Sequence, residues 1–135
     1  MALQYSTGVR NAQLNAVTTT VGASAYLKLF TGSPPANCGT ADSGTLVANI
    51  ALPSTWMNGA GSGSMTLSGT WQTTNAAGTG TAGYFRLYAN DATTCHAQGT
   101  VTNTGGGGDM TLDNASIVAG QTVNISTFTL SAGNA

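Results

Sequence analysis

Only a few residues of this 135-residue sequence carry side chains suited to acid–base catalysis. The carboxylates are Asp42, Asp91, Asp109 and Asp113, and His96 is the single histidine. Glycoside hydrolysis usually needs two carboxylates, one as acid and one as base or nucleophile. Asp42 and Asp91 stand in the turn sequences Ala-Asp-Ser-Gly and Asn-Asp-Ala, where an aspartate commonly bonds its own backbone. We therefore predict a turn role for both.

Asp109 and Asp113 are the carboxylate pair that best suits a metal. A spacing of four residues along a strand places both on one face, directly after the glycine run of residues 105–108. Calcium, however, takes six to eight oxygen ligands, and the alternating acids of an EF-hand loop are missing. The sequence predicts no metal and no cofactor, with a calcium site as the minor alternative.

The histidine and the two cysteines do not form a recognisable catalytic pattern. His96 directly follows Cys95, so on a strand the two side chains point to opposite faces, which argues against a nucleophile–base pair. No Gly-x-Ser-x-Gly elbow is present. We predict a structural role for His96 and no enzymatic activity. Cys38 and Cys95 are predicted to be reduced thiols, one in a loop and one on a strand, and their pairing stays open.

Composition narrows the class of partner. Hydrophobic residues make up 41% of the chain and charged residues only 5%, with a net charge of −1. Arg10, Lys28 and Arg86 are the only cations, so there is no basic stripe for nucleic acid. No apolar run is long enough to span a bilayer, and the basic-then-apolar pattern of a signal peptide is missing. The sequence predicts a soluble protein that binds neither nucleic acid nor membrane.

The residue pattern divides the chain into a helical N-terminal segment and a strand-rich remainder. Residues 1–22 are predicted to be an N-terminal arm or short helix, capped by Ser6 or Thr7 and ending near Gly22. The apolar side of this helix is predicted to carry Val9, Ala12, Ala16 and Val17. Residues 23–135 have the pattern of a β-domain, with short strands separated by Gly-, Pro- and Asn-rich loops.

The strand pattern predicts an all-β fold. Alternating or β-branched runs occupy residues 25–31, 46–52, 64–71, 84–88, 95–101, 109–112 and 122–130. The run 64–71 has the clearest alternation, and 84–88 is predicted to be a central strand. Residues 46–52 are predicted to turn Leu46, Ala48, Ile50 and Leu52 to one side. Seven or eight such strands favour an antiparallel β-sandwich of jelly-roll-like type.

Tyr84, Arg86 and Tyr88 form an aromatic–cation–aromatic row on one face of the predicted central strand. Such a row can stack on sugars, bases or a protein partner. The alternative, which we favour, is cross-strand packing with the Arg86 guanidinium reaching solvent.

Five stretches of the chain carry a family resemblance: residues 3–11, 31–38, 52–57, 81–88 and 123–130. With these, the whole chain resembles the small decoration, or cement, proteins of tailed bacteriophages. The resemblance implies a jelly-roll-like module, a dimer, that lies on the outer surface of the virion head and bridges neighbouring major capsid proteins. It implies no catalytic residues.

Residues 5–21 differ from the β-domain and have no evident core role in the sequence pattern. We predict that they contact the capsid, and that the contacts are made by Tyr5, Val9, Arg10, Leu14 and Val17. The rival prediction is a surface-recognition module, such as a tail fibre tip or carbohydrate-binding adhesin, that uses the Tyr84, Arg86 and Tyr88 row.

Overall fold

A computed structural model describes residues 3–132, and within them the chain forms one helix followed by ten short strands. Helix α1 spans Thr7–Val21. The strands are β1 (Tyr26–Thr31), β2 (Leu46–Ala51), β3 (Ser64–Thr66), β4 (Trp71–Thr73), β5 (Gly80–Tyr88), β6 (Cys95–Asn103), β7 (Met110–Leu112), β8 (Ser116–Ile117), β9 (Val123–Ile125) and β10 (Thr129–Ser131). The prediction of a β-body after one N-terminal helix is confirmed. The outer ends of the two predicted segments, residues 1–2 and 133–135, lie outside the described residues.

The largest sheet has the strand order β2-β1-β5-β6-β7, with β8 paired to the beginning of β5. β5 is central, as predicted, because β1 and β6 flank it. Strand β10 pairs with β3, and β4 pairs with β9. The prediction of antiparallel pairing is corrected at one place, since β6 and β7 are parallel. Gly105 and Gly107, both with positive φ, let the connection double back so that β7 runs alongside β6.

Helix α1 begins and ends where the sequence predicts. The Ser6 hydroxyl accepts a hydrogen bond from the Val9 amide, and Gly22, at φ 86°, follows the last turn. The predicted apolar side is right only for Val17, which packs against the core. Val9, Ala12 and Ala16 are exposed, and the buried residues of the helix are Leu14 and Val21.

Polar contacts fix the rotation of α1 against the body. Asn11 accepts a hydrogen bond from the Gly63 amide at 2.9 Å, and the Arg10 Nε donates to the Ala132 carbonyl at 2.7 Å. These contacts turn the Leu14 side of the helix toward the sheet. The expectation that residues 5–21 lack a core role is therefore wrong.

Strand β2 is offset by a bulge that the alternation does not reveal. Leu29 pairs with Ala48, but Phe30 pairs with Leu46, so Val47 is the extra residue. Val47 joins the main core, and Leu46 packs against the opposite face of the sheet beside Phe30. The prediction that Leu46 shares a side with Ala48 is thus wrong.

The continuous strand predicted over residues 64–71 is two strands, β3 and β4. Gly69 lies between them at φ 73°, and a Cβ there would come within 2.8 Å of Pro53 Cγ. Only glycine tolerates this conformation and this approach at low cost. The break lets β3 pair with β10 while β4 pairs with β9.

An aromatic chain fills the main core. Trp56 and Trp71 have ring centroids 6.1 Å apart, Trp71 and Phe128 5.7 Å, and Phe128 and Phe85 5.5 Å with edge-to-face geometry. Each indole N–H is satisfied, with Trp56 donating to the Gly22 carbonyl and Trp71 to the carbonyls of Trp56 and Ser68. No helix within residues 3–132 combines the length and apolarity that crossing a bilayer requires.

Candidate functional site

A cleft of about 400 Å³ lies on the face of the large sheet opposite the main core. Its floor consists of side chains from β1, β5 and β6, including Lys28, Arg86 and Cys95, and the loop of residues 32–44 covers one side. Alternation puts these residues here, since Leu27, Leu29, Phe85 and Leu87 occupy the main-core face of the same strands. The common face of Tyr84, Arg86 and Tyr88 was predicted and is confirmed.

Arg86 is buried at the base of the cleft, with only 2% of its surface exposed. Its Nη2 donates to the carbonyls of Asn37 and Thr40 at 3.1 and 2.7 Å, and its Nε donates to Gln98 Oε1 at 3.1 Å. The prediction that Arg86 reaches solvent is wrong, because the 32–44 loop folds over it. Burial acts to lower the pKa of Arg86, but the Tyr88 hydroxyl and the Cys95 thiol outweigh it, so the net pKa is raised.

Lys28 stands directly opposite Arg86 on the neighbouring strand. The Lys28 ammonium donates to the Ala92 carbonyl at 3.0 Å and lies 4.7 Å from the Tyr88 ring centroid. Two of the three cations in the chain are thus adjacent, an unfavourable pairing for a sheet. Both cations bond to neutral acceptors, and the exposed Asp42 is the one carboxylate that lines the cleft.

The predicted recognition row is not an open surface. Tyr84 is completely buried, stacks on Phe30 with ring centroids 5.0 Å apart, and its hydroxyl exchanges hydrogen bonds with the backbone of Ser43. Tyr88 is also buried, and burial raises its pKa. Tyr84 and Arg86 therefore hold the 32–44 loop, and all three side chains of the row are buried. This agrees with the packing alternative and leaves the row no exposed stacking face.

The two cysteines meet at this cleft. Cys38 lies in the 32–44 loop and Cys95 on β6, where it pairs with Tyr88, and both are half-buried free thiols. Burial, together with the neighbouring Cys38 side chain, raises the pKa of Cys95 to about 11. The loop and strand placements were predicted, but no pattern in the sequence indicates that the two residues are neighbours.

The remaining acid–base residues do not converge on one place. Asp109, just before β7, accepts hydrogen bonds from the amide and hydroxyl of Thr100. Asp113, just after β7, is exposed. His96 is exposed beside α1, while Cys95 packs on the opposite face with Tyr88. Within residues 3–132, no three His, Cys, Asp or Glu side chains lie close enough to hold a metal.

A second candidate site is an apolar patch that precedes and begins α1. Leu3, Tyr5 and Val9 are 72, 44 and 43% exposed, and we call them the N-terminal patch. They are three of the four large hydrophobic residues exposed within residues 3–132, the fourth being Val118 at 57%. Scattered exposed apolar residues are ordinary, whereas exposed apolar residues grouped in one short segment are a candidate contact surface.

The five residues predicted to contact the capsid differ in their exposure. Tyr5 and Val9 belong to the N-terminal patch, whereas Leu14 is in the core and Val17 packs against it. Arg10 is half-buried and bonded to Ala132.

Comparisons of the chain with protein-family models, curated proteins and solved structures find no match.

The turn role predicted for Asp91 is confirmed, and it carries a pH prediction. Its carboxylate accepts bonds from the amides of Thr93 and Thr94 and from the Thr94 hydroxyl, which lower its pKa to about 2. The stabilisation is present above the ordinary pKa of about 4 and is lost as the pH falls through about 2. At pH 6 we expect the unaltered chain to have a higher melting temperature than the Asp91→Asn variant. This difference in melting temperature should close as the pH falls towards 2.

Asp113→Asn is the matched control, because it removes an exposed carboxylate outside the turn. Its melting temperature should follow that of the unaltered chain across this range. A gap for Asp91→Asn that is the same at pH 6 and pH 2 would contradict the assignment.

Proposed function

We propose that this protein decorates the outer surface of a tailed-bacteriophage head and stabilises it by bridging neighbouring major capsid proteins. The jelly-roll-like sandwich and the dimeric state implied by the family resemblance belong to the same proposal. The observation that carries it is the N-terminal patch, because three of the four large hydrophobic side chains exposed within residues 3–132 belong to one segment of seven residues in a chain with few charges.

The position of the patch suits a docking role. Helix α1 is attached to the body by its buried Leu14 and Val21 and by the Arg10 bond to Ala132, so it presents Val9 from a rigid base. A rigid docking element loses little conformational entropy when it binds. A net charge of −1 also allows many copies to pack closely without strong mutual repulsion.

The stabilising mechanism is linkage. A ligand that binds the assembled shell but not its separate subunits favours the assembled state by mass action. Once one contact to a capsid subunit has formed, the second contact to its neighbour is made at a high effective concentration. Each contact can therefore be weak on its own. This mechanism needs no catalytic group. The engagement of Asp91 and Asp109 in local hydrogen bonds is in keeping with a protein that is not an enzyme.

Replacement of the patch tests the proposal directly. The triple variant Leu3→Ser, Tyr5→Ser, Val9→Ser should bind expanded empty heads about 10- to 100-fold more weakly, since partial burial of each side chain contributes about 0.5 to 0.9 kcal/mol. Binding is measured by co-sedimentation with heads that lack the protein. Circular dichroism should show an unchanged fold, because the three side chains are exposed.

Val118→Ser is the matched control, as it removes an equally exposed apolar side chain far along the chain from the patch. Head binding of this variant should be unchanged. Unimpaired binding of the triple variant would exclude the patch as the docking surface. Immunogold labelling of the virion tests the role itself: hundreds of labels over the head support decoration, whereas a few at the tail support an adhesin.

A further inference from the structure

The loop of residues 32–44 is held over the sheet by buried side chains. Arg86 binds the carbonyls of Asn37 and Thr40, Gln98 donates to the Pro35 carbonyl at 2.6 Å, and the Tyr84 hydroxyl binds the backbone of Ser43. The loop thus has hydrogen-bonded anchors on both sides of Cys38. Its path is fixed by contacts that do not involve sulfur.

The same anchors bring Cys38 to Cys95. Arg86 bonds on one side to Asn37, the residue before Cys38, and on the other to Gln98 of β6. Cys95 lies on the same strand, where it pairs with Tyr88 of β5, and both cysteines line the same cleft. The Cys38 side chain is near enough to help raise the pKa of Cys95. The chain has no third cysteine, so each thiol has a single candidate partner within the molecule.

We propose that Cys38 and Cys95 form an intrachain disulfide when the folded protein meets a disulfide oxidant such as oxidised glutathione. One cysteine sulfur attacks the glutathione disulfide and releases one glutathione thiol. The second cysteine sulfur then attacks the mixed disulfide and releases the other glutathione. Two thiol protons and two electrons pass from the protein to the oxidant, which leaves as two molecules of reduced glutathione.

The bond would fasten the 32–44 loop to β6. It would also close a chain segment of more than fifty residues that includes β2 to β5, which restricts the unfolded state strongly. For a domain of this size, we expect the melting temperature to rise by roughly 5 to 15 °C. The inference concerns the free chain, so it stands or falls separately from the role on a phage head.

Tryptic mapping tests the pairing. Cleavage after Arg86 separates Cys38, in the peptide 29–86, from Cys95, in the peptide 87–135. The folded protein is incubated with oxidised glutathione at mildly alkaline pH, because the raised pKa of Cys95 slows exchange at neutral pH. Remaining thiols are then blocked, and the protein is digested without reductant. We expect the two peptides to remain joined, the intact mass to fall by the mass of two hydrogens, and both changes to reverse on reduction.

Three results would overturn the proposal: both thiols remaining open to alkylation, glutathione remaining on either cysteine, or disulfides forming mainly between molecules. Cys38→Ser and Cys95→Ser each remove one partner and should show neither the joined peptides nor a rise in melting temperature on oxidation. Oxidation in concentrated urea should give much less of the intrachain product, because the loop anchors are then absent. Equal yields in urea and in buffer would show that the fold does not position the thiols.

Discussion

Replacing Trp71 by alanine is expected to lower the free energy of unfolding by about 3 to 5 kcal/mol, the largest effect of any single substitution proposed for this protein. Trp71 is completely buried between Trp56 and Phe128, and its indole N–H binds two backbone carbonyls. Alanine would leave a cavity and remove both hydrogen bonds. Domains are typically stable by only about 5 to 15 kcal/mol, so a large share of the stability is at stake. Urea denaturation followed by circular dichroism measures the loss.

Trp71→Phe separates the two contributions. Phenylalanine keeps most of the aromatic packing but leaves the carbonyls of Trp56 and Ser68 without the indole donor, so we expect a smaller loss of about 1 to 3 kcal/mol. Val118→Ala, at an exposed site, should change stability by less than about 0.5 kcal/mol. A Trp71→Ala variant as stable as the Val118→Ala control would contradict the assigned core.

Replacing Arg86 by methionine should cost about 2 to 4 kcal/mol and release the 32–44 loop. Methionine fills a similar volume but donates no hydrogen bonds, so the carbonyls of Asn37 and Thr40 and the side chain of Gln98 lose their common donor. The removal of like-charge repulsion with Lys28 offsets only part of this loss. Hydrogen exchange measured by mass spectrometry should be faster over residues 37–43 in the variant than in the unaltered chain. Exchange over β5 should change less.

Arg86→Lys distinguishes charge from geometry. Lysine keeps the positive charge but lacks the planar fork that reaches the loop and Gln98 together, so its effect should lie between those of arginine and methionine. If lysine fully restored stability, charge alone would be the requirement. If neither variant changed exchange in the loop, the anchoring role of Arg86 would be refuted.

Local rules predicted the elements whose partners are close in sequence. The Ser6 cap and the Gly22 end of α1 depend on bonds within one or two turns, and the Asp91 turn depends on the next three residues. Alternation likewise identified the face of β5 that carries Tyr84, Arg86 and Tyr88. The candidate site was harder to predict, because Cys38 and Arg86 meet only through contacts between residues almost fifty positions apart.

The N-terminal patch could have been found in part from the sequence. Tyr5 and Val9 were predicted to be contact residues, but the same prediction included Leu14, which is buried. Leu14 and Val21 are seven residues apart, a spacing that places them on one side of a helix. The sequence does not show which side of the helix faces the sheet. The hydrogen bonds from Arg10 to Ala132 and from Gly63 to Asn11 set that rotation.

The sequence by itself therefore determined the β-rich class, the single N-terminal helix with its cap, the near absence of charge and the alternation of the central strands. The tertiary structure decided the bulge at Val47, the break at Gly69 and the cover over Arg86. The physical reason is the same in each case. Alternation shows that a strand has two faces, but which residues are buried depends on the distant segment that packs over each face.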